Sequence, residues 1–314
     1  MKNIGHLLYF CIFLFSFTTC VTKSATQEQK ERANLYFNLG NAYSELERYE
    51  KAIEAYSAAY TLDSEFSAAG YNLARIYIHQ KKYDQAELLI TSLIDKEPRN
   101  TILLETAGFL YHNKGNFTKA LSYYNRVILA DEVNSNALFN SYLIYREQEN
   151  YPLALSMLQK YIQVNQNDTP SIAELASLYY QQEKTEDAIN TYKLFLEKEK
   201  SDEEKIKQVR GELATIYIKQ EYYSDAKEIL AALLEKDGEN SQLLFDQAWV
   251  HLIGLEEYKE GMNFLTKAIA NGFNDKKRAT QMASVQGALY KQEILSFMKE
   301  KQLYDPSLLD SKEK

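Results

Sequence analysis

With 314 residues, a net charge of −8, only 4 Pro and 11 Gly but 25 Tyr, the chain has a composition that favours helices over an all-β or disordered polymer. No basic block and no stripe of alternating Arg and aromatics interrupts the acidic balance, so nothing supports nucleic-acid binding. Cys11 and Cys20 both fall within the first twenty residues, which excludes a disulfide framework or a Cys-based zinc site in the body.

Met1-Lys2-Asn3 is a short, weakly positive head, and Leu7 to Phe17 is an unbroken run dominated by apolar residues. That run has the length of a secretory signal core and falls short of the roughly 20 residues that span a bilayer as a helix. Phe17-Thr18-Thr19-Cys20 resembles the lipobox of bacterial lipoproteins, although Phe17 and Thr19 stand where that motif prefers Leu and a small residue. The resemblance implies a signal peptide over 1–20, lipidation of Cys20 and a polar tether over 21–32. With Val21 rather than Asp after the cysteine, it also implies a periplasm-facing anchor in the bacterial envelope, at the outer membrane in preference to the inner.

The body is periodic. Tyr43, Tyr77, Tyr111, Tyr145 and Tyr179 are each 34 residues apart, and Ala52, Ala86, Ala120, Ala154 and Ala188 keep the same spacing. Three residues before most of these tyrosines stands a small one (Gly40, Ala74, Gly108, Ala176, Ala214), which lets two helices cross closely. Leu39, Leu73, Leu175 and Leu213 are expected to fill the core beside the crossing. An aromatic is expected to open each second helix at Tyr49, Tyr83, Phe117, Tyr151 and Tyr223. Tyr56, Ile90, Tyr124, Leu158 and Tyr192 continue its apolar stripe. Tyr142 breaks the small-residue rule. Thr169-Pro170 reads as an N-cap followed by Pro at the first helical position.

From about Ala33 to Asp275 this pattern resembles the tetratricopeptide repeat family. The resemblance implies an all-α, right-handed α-α superhelix of about seven helical hairpins with a C-terminal capping helix. Five regular repeats occupy 33–200. The sixth (about 201–240) has its Tyr217 and Ala226 four residues late, so an extra helical turn is expected at its start, where Ser201 to Glu204 reads as a capping box. The seventh (about 241–275) is degenerate, with Leu252 for the tyrosine, Trp249 for the small residue and Gly261 for the alanine. One or two capping helices over 276–304 and a tail over 305–314 complete the chain.

Chemistry is sparse. There is no phosphate loop, nucleophile elbow or His-Glu-x-x-His, so an enzyme is not expected, and neither is a cofactor or a metal. His79 and His112 occupy nearly equivalent places in adjacent repeats and read as polar groove residues. In the family, first helices line a concave groove. Five residues before the repeat tyrosines stand Asn38, Asn72, Thr106, Asn140, Glu174 and Glu212, a partial form of the asparagine ladder with which some members hold an extended peptide. The family's two-carboxylate clamp is absent: Asn41 and Asn72 match its polar members, but Phe37, Ile102 and Thr106 stand where basic residues belong. The groove set expected to meet a partner is Asn38, Asn41, Tyr71, Asn72, Arg75, His79, Glu105, Phe109, His112, Phe139, Asn140 and Arg146. The expected function is an envelope-anchored scaffold that binds a protein or an extended peptide. The alternative is a small-ligand-binding accessory lipoprotein of a solute transporter.

Overall fold

The computed structural model describes residues 25–309. The signal segment 1–20 with the lipidation candidate Cys20, residues 21–24 of the tether and the last five residues of the tail therefore lie outside the described residues. The described residues are all-α, of the α-α solenoid class, and they divide into two compact units between Ala130 and Asp131. None of their helices is long and apolar enough to cross a membrane.

The first unit holds three hairpins: α1 (Gln27–Glu45) with α2 (Tyr49–Leu62), α3 (Ser67–His79) with α4 (Tyr83–Lys96), and α5 (Thr101–Asn113) with α6 (Phe117–Ala130). In the second, α7 (Ser135–Glu147) pairs with α8 (Tyr151–Val164), α9 (Thr169–Gln181) with α10 (Thr185–Lys198), and α11 (Glu203–Lys219) with α12 (Tyr223–Leu234). A fourth hairpin, α13 (Ser241–Trp249) with α14 (Tyr258–Ala270), is followed by α15 (Lys276–Ser284) and α16 (Lys291–Glu300). An aromatic is the first residue of α2, α4, α6, α8 and α12, as the spacing predicts.

The repeat alanines Ala52, Ala86, Ala120, Ala154, Ala188 and Ala226 are all fully buried. Opposite them, a glycine of the first helix leaves room for a tyrosine ring of the second at two crossings. A Cβ on Gly40 would lie 2.6 Å from the Tyr56 ring, and one on Gly108 2.6 Å from Tyr124. Where the first helix carries Ala74 the partner is the smaller Ile90, and where it carries Tyr142 the partner is Leu158. Tyr142 thus fills from the first helix the space that a tyrosine of the second helix fills elsewhere, and it is as buried as Tyr124.

Each hairpin turns on one residue with positive φ, four places after the repeat tyrosine or Leu252: Glu47, Lys81, Gly115, Glu149, Glu183, Glu221 and Glu256. In the six hairpins with a repeat tyrosine, the next amide then donates back to that tyrosine's carbonyl, as Arg48 does to Tyr43 at 2.8 Å. This closes the helix in the manner of a Schellman turn. Only one of the seven sites is glycine, so the usual sequence signal for such a turn is missing.

Several local expectations are corrected. The tether does not reach residue 32: Thr26 caps α1, its Oγ1 accepting from the Gln29 amide at 3.2 Å while Gln29 Oε1 accepts from the Thr26 amide at 2.8 Å. The cap of α9 is Asp168, not Thr169, which places Pro170 second in the helix. The cap of α11 is Asp202, not Ser201. Glu199 prevents the expected box, because it holds Ser201 by both its amide (2.9 Å) and its hydroxyl (2.8 Å). Hydrogen bonds from Thr169 first, then from Ser201 and Asp202, draw the Glu199 carboxyl down to about 2. The extra turn of the sixth repeat does lie at the start of α11, which has 17 residues against 13 in α9.

In the seventh hairpin the first helix widens into a π-helical turn, Val250–Gly254. Such a turn accommodates one extra residue, so the fully buried Ala248 takes the small-residue place and Trp249 is only half-buried. Gly261 does replace the alanine, with the Leu252 side chain 2.5 Å from where a Cβ would stand. The last apolar face is covered by α15 and α16, through Ala279, Met282, Ile294 and Met298. An ion pair from Arg278 to the largely buried Asp246 ties α15 to α13, with the guanidinium 4.9 Å above the Phe245 ring.

Candidate partner-binding groove

Four of the expected groove residues converge. Asn41 of α1 and Asn72, Arg75 and His79 of α3 line a cavity of about 410 Å³ together with Ser44, Glu45, Tyr49, Tyr56 and Ile76. Its floor depends on the crossing below. Because Gly40 has no side chain, the Tyr56 ring passes over it from α2, and its hydroxyl reaches the groove to donate to Asn41 Oδ1 at 2.7 Å. Asn72 Nδ2 donates to the same Asn41 oxygen at 3.2 Å. Burial pushes the Tyr56 hydroxyl above its ordinary range, while Asn72 and Arg75 act in the opposite direction.

This bonding leaves specific groups facing the cavity. Asn41 has spent its oxygen and keeps its amide donors, whereas Asn72 has used a donor and keeps its oxygen. Arg75 is exposed, lies over the Tyr71 ring at 5.7 Å, and forms no ion pair among the described residues. His79 packs on the Tyr49 ring at 4.6 Å. The cavity thus offers a donor and an acceptor side by side, with a cation at its edge and an aromatic wall.

The remaining expected residues are arranged differently. Asn38 is exposed on α1, outside the cavity lining. Phe109 is 47% exposed on α5, and Glu105 is half-buried on the same helix. His112 meets the edge of the Phe117 ring of its own hairpin at 5.8 Å. In the second unit, Asn140 Nδ2 donates to the Asn136 carbonyl of its own helix at 2.8 Å. Phe139 packs against Tyr142 and Tyr161, at 5.5 and 4.9 Å between ring centres. Arg146 is committed to Glu174 at 2.8 Å. The three asparagines therefore do not form a uniform ladder.

What sequence reasoning missed is the tyrosine hydroxyl that meets the ladder position from the preceding hairpin. Tyr142 donates to Glu174 at 2.7 Å, and Tyr192 donates to Glu212 at 2.5 Å. Burial pushes the Glu174 carboxyl up, but hydrogen bonds from Arg146 and Tyr142 more than reverse this, holding it below the ordinary range. Burial and the bond to Glu212 raise the Tyr192 hydroxyl. For Tyr56 and Tyr192 a signal was present, a Gly or Ala in the first helix facing a Tyr in the second and a polar residue five places before the next repeat tyrosine. The same pattern at Gly108, Tyr124 and Asn140 gives no such bond, and Tyr142 belongs to a first helix.

Comparison with known proteins agrees with this architecture. Tetratricopeptide repeat family models match residues 43–103, 103–134 and 171–206. A lipoprotein of Treponema pallidum is 26% identical over 129 residues, 41% of this chain and 66% of that protein. Anaphase-promoting complex subunit 3 of Schizosaccharomyces pombe is 29% identical over 100 residues, 32% of this chain and 15% of that protein. The chain thus spans less than two thirds of either relative. The solved structure of a tetratricopeptide repeat protein from Parabacteroides merdae superposes with a TM-score of 0.50 at 18% identity, covering 86% of this chain and 99% of that one, a likeness of fold. Period, paired helices and matching repeats agree: the chain belongs to the tetratricopeptide repeat family, whose fold serves as a protein–protein interaction scaffold.

Proposed function

We propose that this protein is an envelope-anchored scaffold that holds an extended segment of a partner protein in the groove of its first unit. The observation that carries this reading is the cavity between α1 and α3, where Asn41 and Asn72 present a donor and an acceptor beside Arg75, which forms no ion pair among the described residues. A peptide group offers the complementary pair whatever its side chain, and Arg75 adds a preference for a carboxylate or another acceptor. The second unit supports this placement by contrast, since its groove carboxylates Glu174 and Glu212 are already engaged by Arg146, Tyr142, Tyr192 and Gln208.

The test starts from a partner recovered by crosslinking in membranes, with its bound segment synthesised as a peptide. Each hydrogen bond lost contributes about 0.5–1.5 kcal/mol, so Asn72→Ala combined with Arg75→Ala should weaken binding at least about tenfold. Arg146→Ala, in the second unit, should leave affinity nearly unchanged. Undiminished binding by the double variant, with folding intact, sinks the reading. If mass spectrometry instead finds a small polar molecule in the cavity and no partner is recovered, the transporter-accessory alternative takes its place.

The anchor is assigned to Cys20 on the lipobox-like sequence around it, with support from the lipoprotein relative. Cys20→Ser should abolish incorporation of labelled fatty acid and release the protein from membranes. Continued acylation of that variant removes the anchor from the proposal.

A further inference from the structure

The outer line of α1 is open where the later first helices are closed. In α3, α5, α9 and α11 the residues equivalent to Leu35 (Ala69, Leu103, Ser171 and Val209) and to Ala42 (Ile76, Leu110, Leu178 and Ile216) are all buried. On α1, Leu35 is 69% and Leu39 43% exposed, and Ala42 is exposed as well. The expectation that Leu39 fills the core therefore fails, although its equivalents Leu73, Leu175 and Leu213 do so. The line also continues past the repeat pattern. Leu46, 63% exposed, occupies a place that holds Gln80, Lys114, Gln148, Gln182 and Gln220 in the following hairpins.

Leu35, Leu39, Ala42 and Leu46 follow one another at i, i+4, i+7 and i+11, a single stripe along one side of the helix. The spacing of the stripe, four, three and four residues, is its own reverse, and its inner pair joins a large side chain to a small one. When a second copy is laid antiparallel on it, Leu35 faces the other copy's Leu46, and Leu39 faces the small Ala42. Each inner leucine thus enters a gap left by an alanine. Charge favours the same direction: a parallel pairing would bring together the acidic ends that carry Glu45 and Glu47, whereas an antiparallel one keeps them apart and opposes the helix dipoles.

We propose that the protein self-associates through α1, two copies packing this stripe antiparallel about a two-fold axis. The contact is isologous, so it closes at two copies and does not propagate into a filament. One helix face from each copy is small beside the area of a typical stable interface, so the dimer is weak and concentration-dependent. The proposal does not rest on the groove reading, because the stripe lies outside the cavity lining.

Sedimentation of the full chain in density-matched detergent, over about a hundredfold range of concentration, tests it. The wild-type protein should pass from monomer to dimer. Leu39→Lys should weaken dimerisation at least about tenfold. Leu46→Gln changes an already exposed site to the residue found in four later hairpins, and it should weaken the dimer with no change in thermal unfolding. A dimer indifferent to both substitutions overturns the proposal. A monomer at every concentration overturns it too. In that case, slow amide exchange along α1 would give the face to the chain's own first 24 residues or to another protein.

Discussion

Tyr142→Ala is expected to destabilise the second unit by about 3–5 kcal/mol, the cost of emptying a fully buried aromatic site. Only 1% of Tyr142 is exposed, and it packs against Ala154, Leu155 and Leu158 in one cluster. The informative variant is the double one. Tyr142→Ala with Leu158→Tyr recreates the pair Ala176 and Tyr192 of the next hairpin, where the aromatic is supplied by the second helix and is equally buried. If the two positions share one volume, the double variant should recover at least about half of the lost stability, a coupling larger than contacts between independent sites give. Equilibrium denaturation of the wild type, both single variants and the double variant measures it. Additive losses would show that Tyr142 fills a space of its own and that the fourth repeat is packed on different terms.

Arg278→Ala is the second large effect, expected at about 3 kcal/mol. That is the low end for breaking a buried pair, because the arginine side chain remains 34% exposed. Asp246 is the reason for the size of the loss. Burial raises its carboxyl pKa, and the Arg278 charge and hydrogen bond are what oppose that rise. Without the guanidinium, the carboxylate must stay charged in a poor medium or take up a proton. The loss should therefore shrink as pH falls through the Asp246 range, since protonation removes the stranded charge. Arg278→Ala with Asp246→Asn should be more stable at neutral pH than Arg278→Ala alone. Thermal unfolding of the three proteins across that range checks both statements. A loss independent of pH and not relieved by Asp246→Asn would assign the role of Arg278 to its packing over Phe245 and its hydrogen bond to Gln242.

The sequence by itself determined the repeat and hence the fold class. A period of 34 residues carried by tyrosine and alanine together fixes which faces of which helices must meet, because only a small residue permits a close crossing. It also placed the extra turn of α11, since four added residues make about one turn and the repeat's second half keeps its spacing.

Tertiary structure alone decided which polar residues remain available. Asn72 and Asn140 are equivalent in sequence, yet Asn72 faces the Asn41 oxygen in a cavity while Asn140 folds back onto its own helix. The difference lies one repeat back: Asn72 meets the carboxamide of Asn41, whereas Phe109 holds the equivalent place in the repeat before Asn140. The turns were hidden as well, because glutamate or lysine occupies the positive-φ site in six of seven hairpins and closure of the hairpin holds it there. Exposure of the α1 stripe was equally invisible, for Leu39 has the same repeat position as Leu73. Burial depends on the neighbour a side chain is packed against, and repeat position fixes only the direction in which the side chain points.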